Sequence, residues 1–202
     1  MLTSQRNFMY TENFEKAFLH CMKEEVGSFF DPTKPATILG LINTVSNRKA
    51  CGYVNHPNDK GGITKYGIAQ AANPEVKVES LTLEEAKKIY FSKYWVQSKC
   101  DKITNLISVI HFDTSINMGV SAAAKMLQNA IGVKADGVIG PVTLSAINSH
   151  KNPLSVCQKY LELRQARYDA IVKNNPSQKV FANGWRNRNL RMYKALGIDL
   201  PK

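Results

Sequence analysis

Apolar residues recur with a helical period over most of this chain. Phe14, Ala17, Phe18, Cys21 and Met22 follow the i, i+3, i+4, i+7, i+8 spacing and predict an amphipathic helix that Gly27 stops. Beyond it, to about residue 75, the period is lost. Gly, Pro, Asn and Asp dominate, predicting loops with a short hairpin around Tyr53–Ile68. Thr82-Leu83-Glu84-Glu85 is a capping box that opens a helix through Ala86, Ile89, Tyr90 and Tyr94. Residues 104–118 read as a largely apolar, central helix ended by Gly119. Ser121 is expected to cap a short helix that runs to Gly132, and Pro141 suits the first turn of the next. A longer helix is predicted from Pro153 to Lys173, Asn175-Pro176 breaks it, and a basic helix covers about 181–196. The pattern predicts one compact, mainly α unit with a small irregular or β lobe near the N-terminus.

With 202 residues, 44% hydrophobic and 21% charged, the chain can bury a sizeable core and is not disordered. No apolar run approaches the roughly 18 residues of a membrane helix. The opening MLTSQRNFMYTENFEKAF has no basic segment followed by an apolar run, so no secretory signal is expected and synthesis in a cytoplasm is. The net charge of +11 is uneven: residues 151–202 carry eleven Lys and Arg against Glu162, Asp169 and Asp199. Such a surface concentrates near polyanions, whether nucleic acid, anionic lipid or acidic envelope polymers, and charge alone does not choose among them. A solvated basic face without a partner is equally compatible. Cys21, Cys51, Cys100 and Cys157 are widely separated and read as reduced structural residues. His20, His56, His111 and His150 show no metal-ligand spacing. No metal and no cofactor are expected.

The candidate chemistry starts at the end of the first helix. Glu25 lies four residues after Cys21 and three after Met22, on the apolar stripe. Glu24 is rotated by roughly 100° toward solvent or the edge of the stripe. A carboxylate on an apolar face at a helix C-terminus is disfavoured as an anion by desolvation and by the helix dipole, so its pKa is expected to rise, as a general acid requires. The alternative is a frayed end at which Glu25 turns outward. The run Gly52-Tyr53-Val54-Asn55-His56-Pro57-Asn58-Asp59-Lys60-Gly61-Gly62-Ile63-Thr64-Lys65-Tyr66-Gly67-Ile68 specifies a tight backbone path. Asp59 and Thr64 are its candidate cleft residues.

This run resembles the signature of the glycoside hydrolase family 108 muramidases, typified by phage endolysins. Phe14–Ala17, Ile89-Tyr90 with Tyr94-Trp95, and Asp113–Gly119 followed by Ala122–Ala124 and Leu127-Gln128 resemble further pieces of that family in order. Asp136–Pro141 with Thr143, and Gly184-Trp185-Arg186-Asn187-Arg188, are similar to its companion C-terminal peptidoglycan-binding segment. One departure stands out: in the family the acid directly precedes the G-Y-V-N run, whereas here residues 28–51 intervene. Aligned from Phe14, the acid falls on Glu25, with Glu24 where the family usually has His and Val26 where it has Gly. The insertion contains Ala36–Ile42, a short helix or hairpin beside the cleft or a surface decoration. It is expected to affect substrate access more than stability, so that replacing 29–50 leaves a folded protein.

The resemblance implies a lysozyme-like α+β fold: a helical bundle with a small loop or hairpin lobe, a catalytic region over 1–120 and a helical peptidoglycan-binding-like region over 121–202. It implies Glu25 as acid, Asp59 as second carboxylate and Thr64 as positioner of water or substrate. Tyr53, Asn55, Tyr66 and Trp95 are the implied substrate contacts, with Tyr66 open between donating near Glu25 and packing. The implied activity is cleavage of the N-acetylmuramic acid to N-acetylglucosamine bond of peptidoglycan by a monomeric endolysin. It waits in the host cytoplasm until the membrane is permeabilised, and its basic C-terminal helix is held by anionic envelope polymers. A lytic transglycosylase, an inactive wall-binding module and a nucleic-acid-binding protein are the alternatives. The last has only its charge in favour, so no nucleic-acid partner is expected.

Overall fold

The computed structural model describes residues 10–27, 30, 45–55 and 62–201, with the side chains of 45–47 excepted. Among these residues the chain forms α1 (Glu12–Glu25), α2 (Val45–Ala50), β1 (Thr64–Lys65), β2 (Ile68–Ala69), α3 (Leu83–Tyr90), α4 (Ile107–Met118), α5 (Val120–Ile131), α6 (Pro141–Asn148), α7 (Pro153–Asn174) and α8 (Lys179–Ala195). The fold is mainly helical with one small antiparallel hairpin, a lysozyme-like α+β arrangement. Among the described residues no helix is long and apolar enough to cross a membrane.

The periodic residues form the elements they predict. Thr11 caps α1 by accepting from the Phe14 amide, and Phe14, Ala17, Phe18, Cys21 and Met22 are its buried face. Thr82 and Glu85 make both bonds of the capping box, at 3.1 and 2.8 Å. The central position of α4 is explicit: every residue from Ile107 to Ser115 is buried, and the helix packs on α1, α5 and α7. Phe14, Trp95 and Phe112 meet edge-on between α1, α4 and the end of the α3 helix, with ring centroids 5.2–5.8 Å apart. Fully buried aromatics of this kind lose about 3–5 kcal/mol on truncation to alanine.

Two local expectations change. Ser121 does not cap α5. The helix begins at Val120 directly after Gly119, whose carbonyl already accepts from the Ala123 amide at 3.0 Å. The α3 helix does not end cleanly either, but widens into a π-helical turn over Phe91–Val96, a distortion frequent near functional sites. The Ala36–Ile42 segment lies outside the described residues. The ends of the insertion are adjacent, since a methyl carbon at Gly52 would sit 3.4 Å from the Val26 Cα. Phe30 and Cys51 from the insertion are buried in the common core, so the insertion contributes to the core as well as to the surface.

Candidate active site

Glu25 is the last residue of α1, and the small lobe is built against it. Tyr66 and Gly67 form the two-residue turn between β1 and β2 with φ of +52° and +73°, the left-handed pair that a tight hairpin needs. A methyl carbon at Gly67 would lie 2.7 Å from the Tyr90 hydroxyl and 2.9 Å from the Glu25 Cβ. Only a residue without Cβ lets the turn come so close. The turn is pinned by the buried Tyr90 hydroxyl, which donates to the Tyr66 carbonyl at 3.0 Å, and by the Tyr66 amide, which donates to Cys51. Thr64, half-buried at the start of β1, exchanges backbone bonds with Val54 at 2.8 and 2.9 Å. Half-buried Tyr53, with Arg48 over its ring, and exposed Asn55 flank that bridge. Asp59 lies outside the described residues.

Two expected substrate contacts fail on burial. Trp95 is 1% exposed, wedged between Phe14 and Phe112, and has no face for a ligand. Tyr66 settles as a packing residue, 2% exposed. Tyr94, the neighbour of Trp95 in the sequence pattern, feels the charge of the acid. It is partly exposed on the π turn, and burial together with the Glu25 charge pushes its hydroxyl pKa up. The Tyr90 hydroxyl and the Cys21 thiol are raised by burial and by the same charge.

The setting of Glu25 is not the apolar face expected. Its side chain is 23% exposed, and Oε1 accepts from Arg188 Nη1 of α8 at 2.9 Å. The same guanidinium grips Asp113 of α4 through Nη2 and Nε, at 2.7 and 3.1 Å from Oδ1. Arg164 of α7 holds the other Asp113 oxygen at 2.6 Å and takes the Tyr168 hydroxyl as acceptor at 2.9 Å. Burial alone would raise the Asp113 pKa, but the two arginines hold this carboxyl far below the usual carboxylate range. Glu24 is corrected in the opposite direction. Its side chain is 2% exposed, not solvent-facing, and Arg191 donates to both its oxygens at 2.6 Å. Helical rotation alone assigned it to solvent, and α8 lies over that face.

Sequence reasoning therefore missed Asp113, Arg164 and Arg188. The available signal was a lone aspartate within an apolar helical run, because a charge on a fully buried helix has to find a partner. Two other buried polar hubs organise the neighbouring helices. Gln128 donates to Asp136, Val138 and Thr143 and accepts from the Gly137 amide, which shapes the loop before α6. His111 lies between Tyr160 and the Ser98 carbonyl. All four cysteines are buried, and no disulfide joins any two of them among the described residues.

Residues 47–119 match the family described as glycosyl hydrolase 108, and residues 122–190 match the predicted peptidoglycan domain. The first match begins beyond Glu25, within the last residues of the insertion. Twelve chains of solved structures match. Among them is the structure of Brucella abortus SagA, 28% identical, with 94% of this chain and 97% of that chain covered and a TM-score of 0.65. No curated protein matches the chain.

Proposed function

This chain belongs to glycosyl hydrolase family 108 and carries a predicted peptidoglycan domain behind that region, and from this premise we propose that it is a muramidase with Glu25 as proton donor. The bond it cleaves on this reading joins N-acetylmuramic acid to N-acetylglucosamine. The coarser statement, a glycosidase acting on peptidoglycan, follows from the two matched regions.

The observation that carries the assignment of Glu25 is the close approach of the Gly67 turn. It puts the lobe bearing Thr64, and in sequence Asp59, against the end of α1. Glycoside hydrolysis needs two carboxyls in different roles: one protonates the leaving oxygen, and the other attacks the sugar or activates water. Glu25 takes the first role and Asp59, by its place in the motif, the second. Thr64 positions water or the sugar. A Glu25–Asp59 carboxyl separation of about 5–5.5 Å would give retention and about 6.5–9.5 Å inversion.

Glu25→Gln preserves shape but delivers no proton, and digestion of purified peptidoglycan is expected to fall by roughly 10²-fold or more in a variant with unchanged circular dichroism. Mass spectrometry of wild-type products is expected to find reducing muramic acid ends. Anhydro ends would replace hydrolysis by transglycosylation, and an active Glu25→Gln would remove Glu25 from the chemistry. The biological setting we propose is that of an endolysin, with lysis of permeabilised but not intact cells as its check.

A further inference from the structure

A glutamate at the last turn of a helix is free to choose among rotamers, and here it is followed directly by Val26 and by Gly27 at φ +89°. Among the described residues its carboxylate has one hydrogen-bond partner, Arg188, which holds Oε1 and leaves Oε2 open. Arg188 is itself immobilised. It is buried, its Nε and Nη2 are spent on Asp113, and Asp113 is clamped from the other side by the fully buried Arg164. Arg164 leans on Tyr168, whose hydroxyl donates to Asn117 of α4 at 2.6 Å. A continuous set of charge-assisted bonds thus runs from α7 through α4 to α8 and ends on Glu25. Two cations face two anions in it, with Glu25 supplying the second negative charge. The planar guanidinium is the side chain able to serve both carboxylates at once, because its donors diverge in a rigid fork.

Resting on the reading of Glu25 as proton donor, we propose that Arg188 is a positioning residue for peptidoglycan cleavage. By this assignment the segment matched to the predicted peptidoglycan domain completes the active site besides binding the wall. The bond to Oε1 suits both charge states, since a neutral carboxyl still accepts at its carbonyl oxygen while the proton rides on Oε2. Oε2 is the atom then presented to the glycosidic oxygen. Misplacement of a reacting group by about 1 Å can cost 10²-fold in rate, which is the scale of what the clamp protects. The other titratable or charged groups around Glu25 are Cys21 on α1, Tyr90 and Tyr94 from α3 and its π turn, Asp113 behind Arg188, and the adjoining Glu24–Arg191 pair.

The test compares Arg188→Lys, which keeps the charge and loses the fork, with Arg188→Gln, which loses both. Arg191→Gln is the control, a pair on the same helix that does not touch Glu25. For Arg188→Lys the expected result is sedimentation with peptidoglycan within twofold of wild type and a kcat lower by about tenfold or more, with KM little changed. Arg188→Gln, which loses charge and fork together, should lower kcat at least as far, again with KM little changed. In a Glu25→Gln background Arg188→Lys should add no further loss. Arg191→Gln should keep wild-type kcat in its folded fraction. Folded Arg188 variants with wild-type kcat overturn the proposal. An active Glu25→Gln overturns the proton-donor reading instead. If neither Arg188 variant folds, NMR decides: the Arg188 Nη signals should move between the wild type and Glu25→Gln, and unmoved signals overturn the coupling.

Discussion

Gly67 and His111 are two positions where one residue's chemistry sets a property of the whole. Gly67 has φ +73° and no room for a Cβ between Tyr90 and Glu25. Gly67→Ala should therefore both strain the turn and push the lobe away from the acid. We expect a lower Tm and a loss of peptidoglycan digestion larger than the unfolded fraction explains; wild-type activity in the folded fraction would separate the turn from the site. His111 is fully buried, and burial lowers its pKa to about 4, against the ordinary value of 6.5, despite the Ser98 carbonyl bond that pulls the other way. Between these two values the unfolded chain takes up a proton that the folded one refuses. The stability contribution is complete above about pH 6.5 and falls on the order of a few kcal/mol as pH drops toward 4. Asp113, held far below the usual range, adds its own loss only below about pH 4. Urea unfolding across this range should show the slope, and His111→Gln should flatten it between pH 6.5 and 4.

At the scale of elements, the end of α1 is where three parts of the chain meet. The β1–β2 turn touches it from one side, α8 ion-pairs with Glu24 and Glu25 from another, and Gly52 packs on Val26 from below. Local period explains why α1 forms, and it explains neither contact of α8. The insertion is likewise not a detachable ornament. Phe30 joins the core, and the amide of Tyr53 donates to the Arg48 carbonyl at the end of α2, which carries the chain back into the lobe. Replacement of residues 29–50 by a short linker is thus expected to cost stability. Phe30→Ala isolates the core part of that cost and should destabilise by about 3 kcal/mol in denaturant melts. No change in midpoint would return the insertion to a surface role.

Across the whole molecule, the basic C-terminal segment divides into two populations. Arg164 and Arg188 are buried and serve the fold and the site, while Arg191 is committed to Glu24 and serves the fold. Arg186 and Lys194 of α8 are exposed. Exposed charges act through a screened field, with a reach near 10 Å at 0.1 M salt. Neutralising Arg186 and Lys194 should weaken sedimentation with peptidoglycan at low salt, leave it nearly unchanged at high salt, and leave Tm within about 1 °C of wild type. Equal binding at low salt would show that the surface charge contributes nothing to wall affinity. The two stacked rings of Tyr168 and Trp185, 5.2 Å apart, join α7 to α8 outside the main core.

The long helices, the Thr82 capping box and the hairpin are legible in the order of residues, because period, capping and left-handed turns depend on neighbours within a few positions; the short α2 and the start of α5 are not. Asp113 and Arg188 enter the sequence reading only as parts of motifs that resemble the family, with no role of their own. Arg188 reaches Asp113 across 75 positions of the chain and Glu25 across 163. The same limit left Glu24 off the stripe without Arg191, put the buried Trp95 among the substrate contacts, and left Glu25 on an apolar face without its guanidinium. A side chain's distance along its own helix says which way it points. What it meets there is decided by the packing of other elements, and for a charged group that partner fixes both its position and its protonation.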